Sequence, residues 1–82
     1  MTMLYAYLIL AADTGHRMSV GITTVDPDPV AAELAAELVE RNRGEHSYYT
    51  GARTCWVWPY TDDTQALGTL ETGPDGADRF DL

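Results

Sequence analysis

The chain has no lysine and a single cysteine, and the first of these shortages limits its partners. Five arginines stand against thirteen aspartates and glutamates in 82 residues, so the formal net charge at neutral pH is -8. Sequence-independent binding to nucleic acid depends on cationic side chains that displace counterions from phosphates. Such an acidic chain is therefore not expected to bind DNA or RNA directly, and anionic membrane surfaces should repel it as well.

Long hydrophobic runs are also missing. No stretch comes close to the roughly 20 apolar residues that a membrane-spanning helix needs, and the amino-terminal segment lacks the basic residues of a signal peptide. The single cysteine, Cys55, cannot form an internal disulfide, so nothing in the sequence indicates an oxidising compartment. We expect a cytoplasmic protein with no membrane among its partners.

The length of the chain leaves room for one hydrophobic core. We expect residues 1–72 to form a single α+β domain. Residues 73–82 contain the turn sequence Gly-Pro-Asp-Gly and are rich in aspartate, so we expect them to form an acidic, flexible carboxyl-terminal tail.

Two segments near the amino terminus predict a β-hairpin. Residues 3–12 are apolar on both faces of an extended strand, which is typical of a central strand. Residues 17–25 alternate between larger apolar and smaller or polar side chains, and Asp13, Thr14 and Gly15 between the two segments are turn formers.

A helix is predicted to follow the hairpin. Asp28 can cap its amino terminus, Pro29 suits the first helical position, and Gly44 is placed to end it in a left-handed conformation. Apolar residues recur at three- and four-residue spacing and predict a face that packs on the sheet. These residues are Val30, Ala31, Leu34, Ala35, Leu38 and Val39.

A third strand is predicted at residues 53–60, which are rich in aromatic and β-branched side chains. Pro59 has no N–H to donate, so the strand should end there or expose that edge. Residues 65–72 alternate weakly and predict a short fourth strand. The predicted fold is therefore α+β, with the order β-β-α-β(-β), a mainly antiparallel sheet and one helix packed on one face.

Candidate ligands and nucleophiles are few and scattered. His16, His46 and Cys55 lack the paired spacing of a zinc site, and no glycine-rich sequence has the pattern of a phosphate-binding loop. Cys55 lies in an apolar, aromatic strand where a thiolate would be disfavoured, so packing in the core is its expected role. We expect no metal, no other cofactor and no catalytic residue, and hence no enzyme.

The aromatic residues offer a candidate binding surface. Trp56, Trp58 and Tyr60 share one face of the third strand, and Tyr5 and Tyr7 share one face of the first. If the helix covers the leucine face of the first strand, the tyrosine and tryptophan face is left exposed, where it could bind a protein. Two alternatives remain open: the tryptophans fill the core under the helix, or the same face forms a homodimer.

Acidic residues offer a second candidate surface, because several glutamates share one side of the predicted helix. The candidate partner-binding residues are Glu33, Glu37, Glu40, Tyr48, Tyr49, Trp56, Trp58, Asp62 and Asp63. We expect a small acidic protein-binding module whose partner is a protein with a basic surface. The most specific form of this hypothesis is an inhibitor encoded by a phage or mobile element. Its acidic surface would mimic nucleic acid and so block a host or defence protein. The alternatives are a self-associating accessory protein and a charge that serves only solubility.

Four short segments together resemble the amino-terminal half of GIY-YIG nuclease domains: residues 5–8, 19–24, 41–44 and 49–53. That family works through a tyrosine in the second strand, an arginine within the helix and a later glutamate that holds a divalent metal. Here Ser19 stands at the tyrosine position, and residues 35–37 supply no arginine. The resemblance implies a related hairpin and helix with the nuclease chemistry lost. A divergent but active nuclease would instead depend on Arg41, Arg53 or Glu71.

Overall fold

The computed structural model describes residues 2–61 and 72–82, and it confirms the predicted α+β class. In these ranges the chain forms four strands and one helix. They are β1 (Met3–Ala11), β2 (Arg17–Val25), α1 (Ala31–Glu45), β3 (Arg53–Pro59) and β4 (Asp78–Asp81). The strands form one antiparallel sheet in the order β2-β1-β3-β4.

Strand β1 is central, as its apolar character on both faces predicts. It pairs with β2 on one side, where Tyr7 lies opposite Gly21, and with β3 on the other, where Tyr7 lies opposite Val57. Because both neighbours run antiparallel to β1, β2 and β3 point in the same direction, and α1 joins them across one face of the sheet. Strand β3 ends at Pro59, as predicted.

The predicted ends of the helix differ from the observed ones by two residues at the start and one at the end. The helix begins at Ala31 with Val30 as its amino-terminal cap residue, because Asp28 has a left-handed φ of 58° and turns the chain before the helix. Gly44 lies inside the helix and does not have a positive φ. A left-handed glycine is not needed there, because the His46 N–H donates to the Asn42 carbonyl at 2.8 Å and the Arg53 side chain donates to the His46 carbonyl at 3.2 Å.

The sheet is packed on both faces. On one face, buried residues of β1 and β3 contact the apolar side of α1: Ile9, Cys55 and Val57 meet Ala35, Leu38 and Val39. On the opposite face, Ala6, Leu8, Leu10 and Trp58 form a second buried cluster. The apolar face predicted for the helix thus packs on the sheet, with Val30 as an exposed exception.

The helix covers the tyrosine face of β1 and not the leucine face, which corrects the expectation for the aromatic surface. Tyr5 and Tyr7 pack against the cluster under α1. The register explains the result: Trp58 lies opposite Ala6, so the tryptophans share a face with the leucines of β1. The pairing of two distant strands decides this register, and neither strand contains that information.

The carboxyl-terminal segment also differs from the prediction of a flexible tail over residues 73–82. Asp78–Asp81 pairs with β3, where Phe80 lies opposite Cys55 and packs against the cluster under α1. Beyond β4, the backbones of Leu82 and Arg53 exchange two hydrogen bonds of 2.7 and 2.8 Å. Partial burial of Phe80 and pairing of the backbone therefore hold this segment on the sheet. The strand predicted at residues 65–72 lies, except for Thr72, outside the described residues.

Candidate partner-binding surface

A groove of about 600 Å³ lies between α1 and the outer strand β2. It exists because α1 packs mainly over β3 and β4, which leaves the helix side of β2 open. Thr23 and Val25 line the groove from β2, and Leu34 and Leu38 line it from α1. The loop of residues 26–30 closes one end. The groove therefore has a mainly polar lining, to which α1 adds the half-buried Leu34, and it lies beside an outer strand.

Carboxylates surround this groove. Asp26 and Asp28 lie on the loop before the helix, and Glu33 and Glu37 lie one helical turn apart on α1, all of them exposed. One cation, Arg41, also lines the groove, and its guanidinium lies 3.8 Å from the Glu37 carboxylate. An exposed pair of this kind contributes at most about 1 kcal/mol. The four carboxylates and one guanidinium leave the groove strongly negative.

The predicted partner-binding residues do not form one surface. Glu33 and Glu37 line the groove, whereas Glu40 is exposed on α1 outside the groove lining. Tyr48, in the loop after α1, is 79% exposed, and its hydroxyl lies 3.2 Å from Nδ1 of His46. The structure gives no information on Asp62 and Asp63, which lie outside the described residues.

The tryptophans divide between surface and core. Trp56 is half-buried, and the guanidinium of Arg79 lies 5.7 Å from the centre of its ring. Trp58 is only 4% exposed and belongs to the buried cluster opposite the helix. This burial corrects the assignment of Trp58 to a partner-binding surface, because a partner could reach its ring only after the core had opened.

A buried arginine, which the sequence analysis names only for the nuclease alternative, holds the end of the helix. Arg53 is fully buried, and its Nε donates to the Asn42 Oδ1 at 2.7 Å. Its two terminal nitrogens donate to the carbonyls of Gly51, Tyr49 and His46 at 2.8, 2.9 and 3.2 Å. The guanidinium thus satisfies carbonyl groups at the carboxyl end of α1, where the helix dipole also favours a cation. This cluster supports the fold and lies away from solvent.

Tyr49 connects this cluster to the β1–β2 turn. Its ring lies 5.0 Å from the Arg53 guanidinium, and its hydroxyl donates to the Asp13 carboxylate at 2.8 Å. The hydrogen bond to Asp13 raises the pKa of the Tyr49 phenol. The half-buried Tyr49 thus ties two loops together, and its contact with a partner stays a prediction.

Cys55 is buried in β3 under the helix, and this burial raises the pKa of its thiol to about 11. The ordinary value is 9.0, so at about pH 8 the fraction of reactive thiolate should fall about 100-fold. We expect Cys55 in the folded protein to react with a disulfide reagent such as DTNB at least about 100-fold more slowly than free cysteine. The same protein in guanidinium chloride should react at the ordinary rate, and fast reaction of the folded protein would contradict this burial.

Metal-binding and membrane-spanning features can be assessed in residues 2–61 and 72–82. No three His, Cys, Asp or Glu side chains come together there as ligands of a metal ion. In the same ranges the helix is too short and too polar to cross a membrane. The acidic groove combines exposure, concave shape and charge within these ranges.

Comparisons of the chain with protein family models, with curated proteins and with solved structures find no match in any of the three. The resemblance to GIY-YIG nuclease domains accordingly has no support from a family model. Any function must therefore be argued from the residues and their geometry.

Proposed function

We propose that this chain is a protein-binding module that docks on a basic protein surface through its acidic groove. The observation that carries the proposal is the placement of Asp26, Asp28, Glu33 and Glu37 around a concave, mainly polar groove beside β2. Carboxylates attract and orient a basic partner, and a concave surface can accommodate a projecting segment of that partner.

Electrostatic attraction of this kind should act mainly on the rate of encounter. Single exposed ion pairs contribute little, but a cluster of one sign steers a partner of opposite charge and makes the association strongly dependent on salt. A protein that binds nucleic acid must carry a basic surface. A partner of this type would be blocked by the module, which would then act as an inhibitor that mimics nucleic acid and could be encoded by a phage or mobile element.

The test begins with affinity capture from a bacterial lysate at low salt, followed by purification of the retained protein. Two charge reversals of equal size are then compared for binding to it. In the first variant, Glu33→Lys and Glu37→Lys alter the groove. In the matched control, Asp75→Lys and Asp78→Lys alter exposed positions at the β4 side of the sheet.

The groove variant should raise the Kd about 100-fold at low salt, because like charges placed against a basic surface cost several kcal/mol. The matched control should raise it by less than about 10-fold, through the change in net charge. Circular dichroism should show the same helix content for both variants. Equal effects of the two variants on the Kd would show that the groove is not the binding site. Unchanged binding by both variants would show that acidic residues at neither site contribute to binding.

Self-association is a second candidate, favoured by exposed apolar residues beside β2. Leu4 and Ile22, which are 47% and 43% exposed, lie on the side of the sheet away from the helix. The dimer predicted through the tryptophan face has weaker support, because Trp58 is buried. Light scattering at micromolar concentration distinguishes the two, since the protein-binding module is a monomer without its partner.

A further inference from the structure

Strand β2 is an outer strand, and in the described part of the chain the outer backbone edge of residues 18–25 has no hydrogen-bonded neighbour. It runs for nine residues and pairs with β1, and the strand order places it at the end of the sheet in the described part of the chain. An outer strand points every second N–H and C=O away from the sheet, where they can pair with another extended chain. Residues 18–25 contain neither a charge nor a proline, the residues that usually protect such an edge.

The acidic groove lies beside the carboxyl-terminal end of this same strand. Thr23 and Val25 of β2 line the groove on the helix side, and a chain paired with β2 would lie about 4.8 Å from it. Alternate side chains of that chain would project on the helix side, and those beside the end of β2 would approach the carboxylates of Asp26 and Asp28. The other side chains would project on the opposite side of the sheet, beside the exposed Ile22. An added strand thus meets carboxylates on one face and an apolar residue on the other.

The negative charge of the groove indicates which kind of chain would pair with β2. A second copy of this chain paired through β2 would bring together two chains that each carry a formal net charge of -8, and like charges oppose that arrangement. An extended segment with lysine or arginine at alternate positions would place its cations toward Asp26, Asp28, Glu33 and Glu37. Its intervening residues would lie on the side of Ile22, where apolar side chains fit best.

We propose that β2 binds an extended basic segment of the partner as a fifth strand of the sheet. This inference rests on the proposed function and adds the form of the ligand: a strand with alternating basic and apolar residues, held by backbone hydrogen bonds and by the carboxylates of the groove. The affinity then comes largely from the backbone, and the alternation of the partner's side chains supplies the specificity.

The experiment uses the full-length protein labelled with ¹⁵N and a synthetic peptide of alternating lysine and valine as the probe. The first control peptide has glutamate in place of every lysine. Two further peptides carry N-methyl groups either on all lysines or on all valines, which removes one of the two sets of backbone donors. Binding is followed at low salt through the amide chemical shifts of the protein.

Strand addition predicts shifts concentrated in β2 and along the groove side of α1, and no binding of the glutamate peptide. One of the two methylated peptides should bind at least about tenfold more weakly than the other, because only one set of its N–H groups faces β2. Equal binding of the two methylated peptides, with shifts on α1, would overturn strand addition while leaving the acidic groove as a binding surface. Concentration-dependent shifts of β2 without any peptide would instead identify a second copy as the occupant and overturn the proposal.

Absence of any shift with millimolar lysine peptide at low salt would also overturn the strand proposal. The proposed function is judged separately, by the charge-reversal comparison with the captured protein, so the two can fail independently.

Discussion

Replacement of Arg53 by alanine should lower the free energy of unfolding by about 3–5 kcal/mol, which is much of the stability that a domain of this size has. The side chain is fully buried, and it donates hydrogen bonds to the Asn42 side chain and to the carbonyls of His46, Tyr49 and Gly51. Alanine would leave these acceptors without their donor and would open a cavity beside the end of the helix. Urea unfolding followed by circular dichroism measures the loss.

Two other variants test whether the loss of stability comes from the hydrogen bonds of Arg53. Arg53→Lys keeps the charge but loses the planar fork that reaches several acceptors at once, so its loss should be intermediate. Arg41→Ala is the matched control for removing an arginine, because Arg41 is exposed and pairs loosely with Glu37 at 3.8 Å. We expect that variant to change the free energy of unfolding by less than about 0.5 kcal/mol. A similar small loss for Arg53→Ala would show that the buried network does not stabilise the fold.

Local patterns in the sequence predict most of the fold. The alternation over residues 17–25 and the turn formers before it identify the hairpin, and the three- and four-residue spacing identifies the helix face that packs on the sheet. These predictions succeed because they depend on neighbours in the chain. The acidic side of α1 is predicted for the same reason, since Glu33 and Glu37 must lie opposite the apolar residues of the same helix.

Features that depend on distant pairs could not be predicted. The register of β1 with β3 places Trp58 opposite Ala6 and so decides which face the helix covers. The role of Arg53 depends on carbonyls from the helix end and the following loop, which carry no signature in the sequence. The strand that contains Phe80 depends on a distant pair as well. This aspartate-rich segment pairs with β3, and the Phe80 ring packs against the cluster under α1.

Burial of Arg53 also affects the proposed binding surface. One of the five arginines is withdrawn from solvent, so the remaining residues carry a formal charge one unit more negative than the chain as a whole. A second arginine, Arg41, partly neutralises Glu37 at one end of the groove. The carboxylates at the other end, on Asp26, Asp28 and Glu33, are therefore the ones that a basic partner should meet first.

Replacement of Trp58 by alanine is the second change with a large expected effect, a loss of about 3–5 kcal/mol in the free energy of unfolding. The ring is 4% exposed and packs with Ala6, Leu8 and Leu10, so its removal leaves a large cavity on the face opposite the helix. Tyr48→Ala is the control for removing an aromatic ring from the surface. Because Tyr48 is 79% exposed, we expect that variant to remain within about 0.5 kcal/mol of the original protein.

Trp58→Phe separates the packing of the ring from its polar group. The indole N–H of Trp58 is buried and has no hydrogen-bond acceptor in the described residues, and an unpaired buried donor costs about 1–3 kcal/mol. Phenylalanine removes that donor and keeps much of the apolar contact, so it should lose less than half of what alanine loses. Equal losses for the two variants would mean that the N–H itself stabilises the fold. A small loss of unfolding free energy for Trp58→Ala, together with weaker binding of the partner, would show that the ring is accessible in solution. Trp58 would then belong to the partner-binding surface.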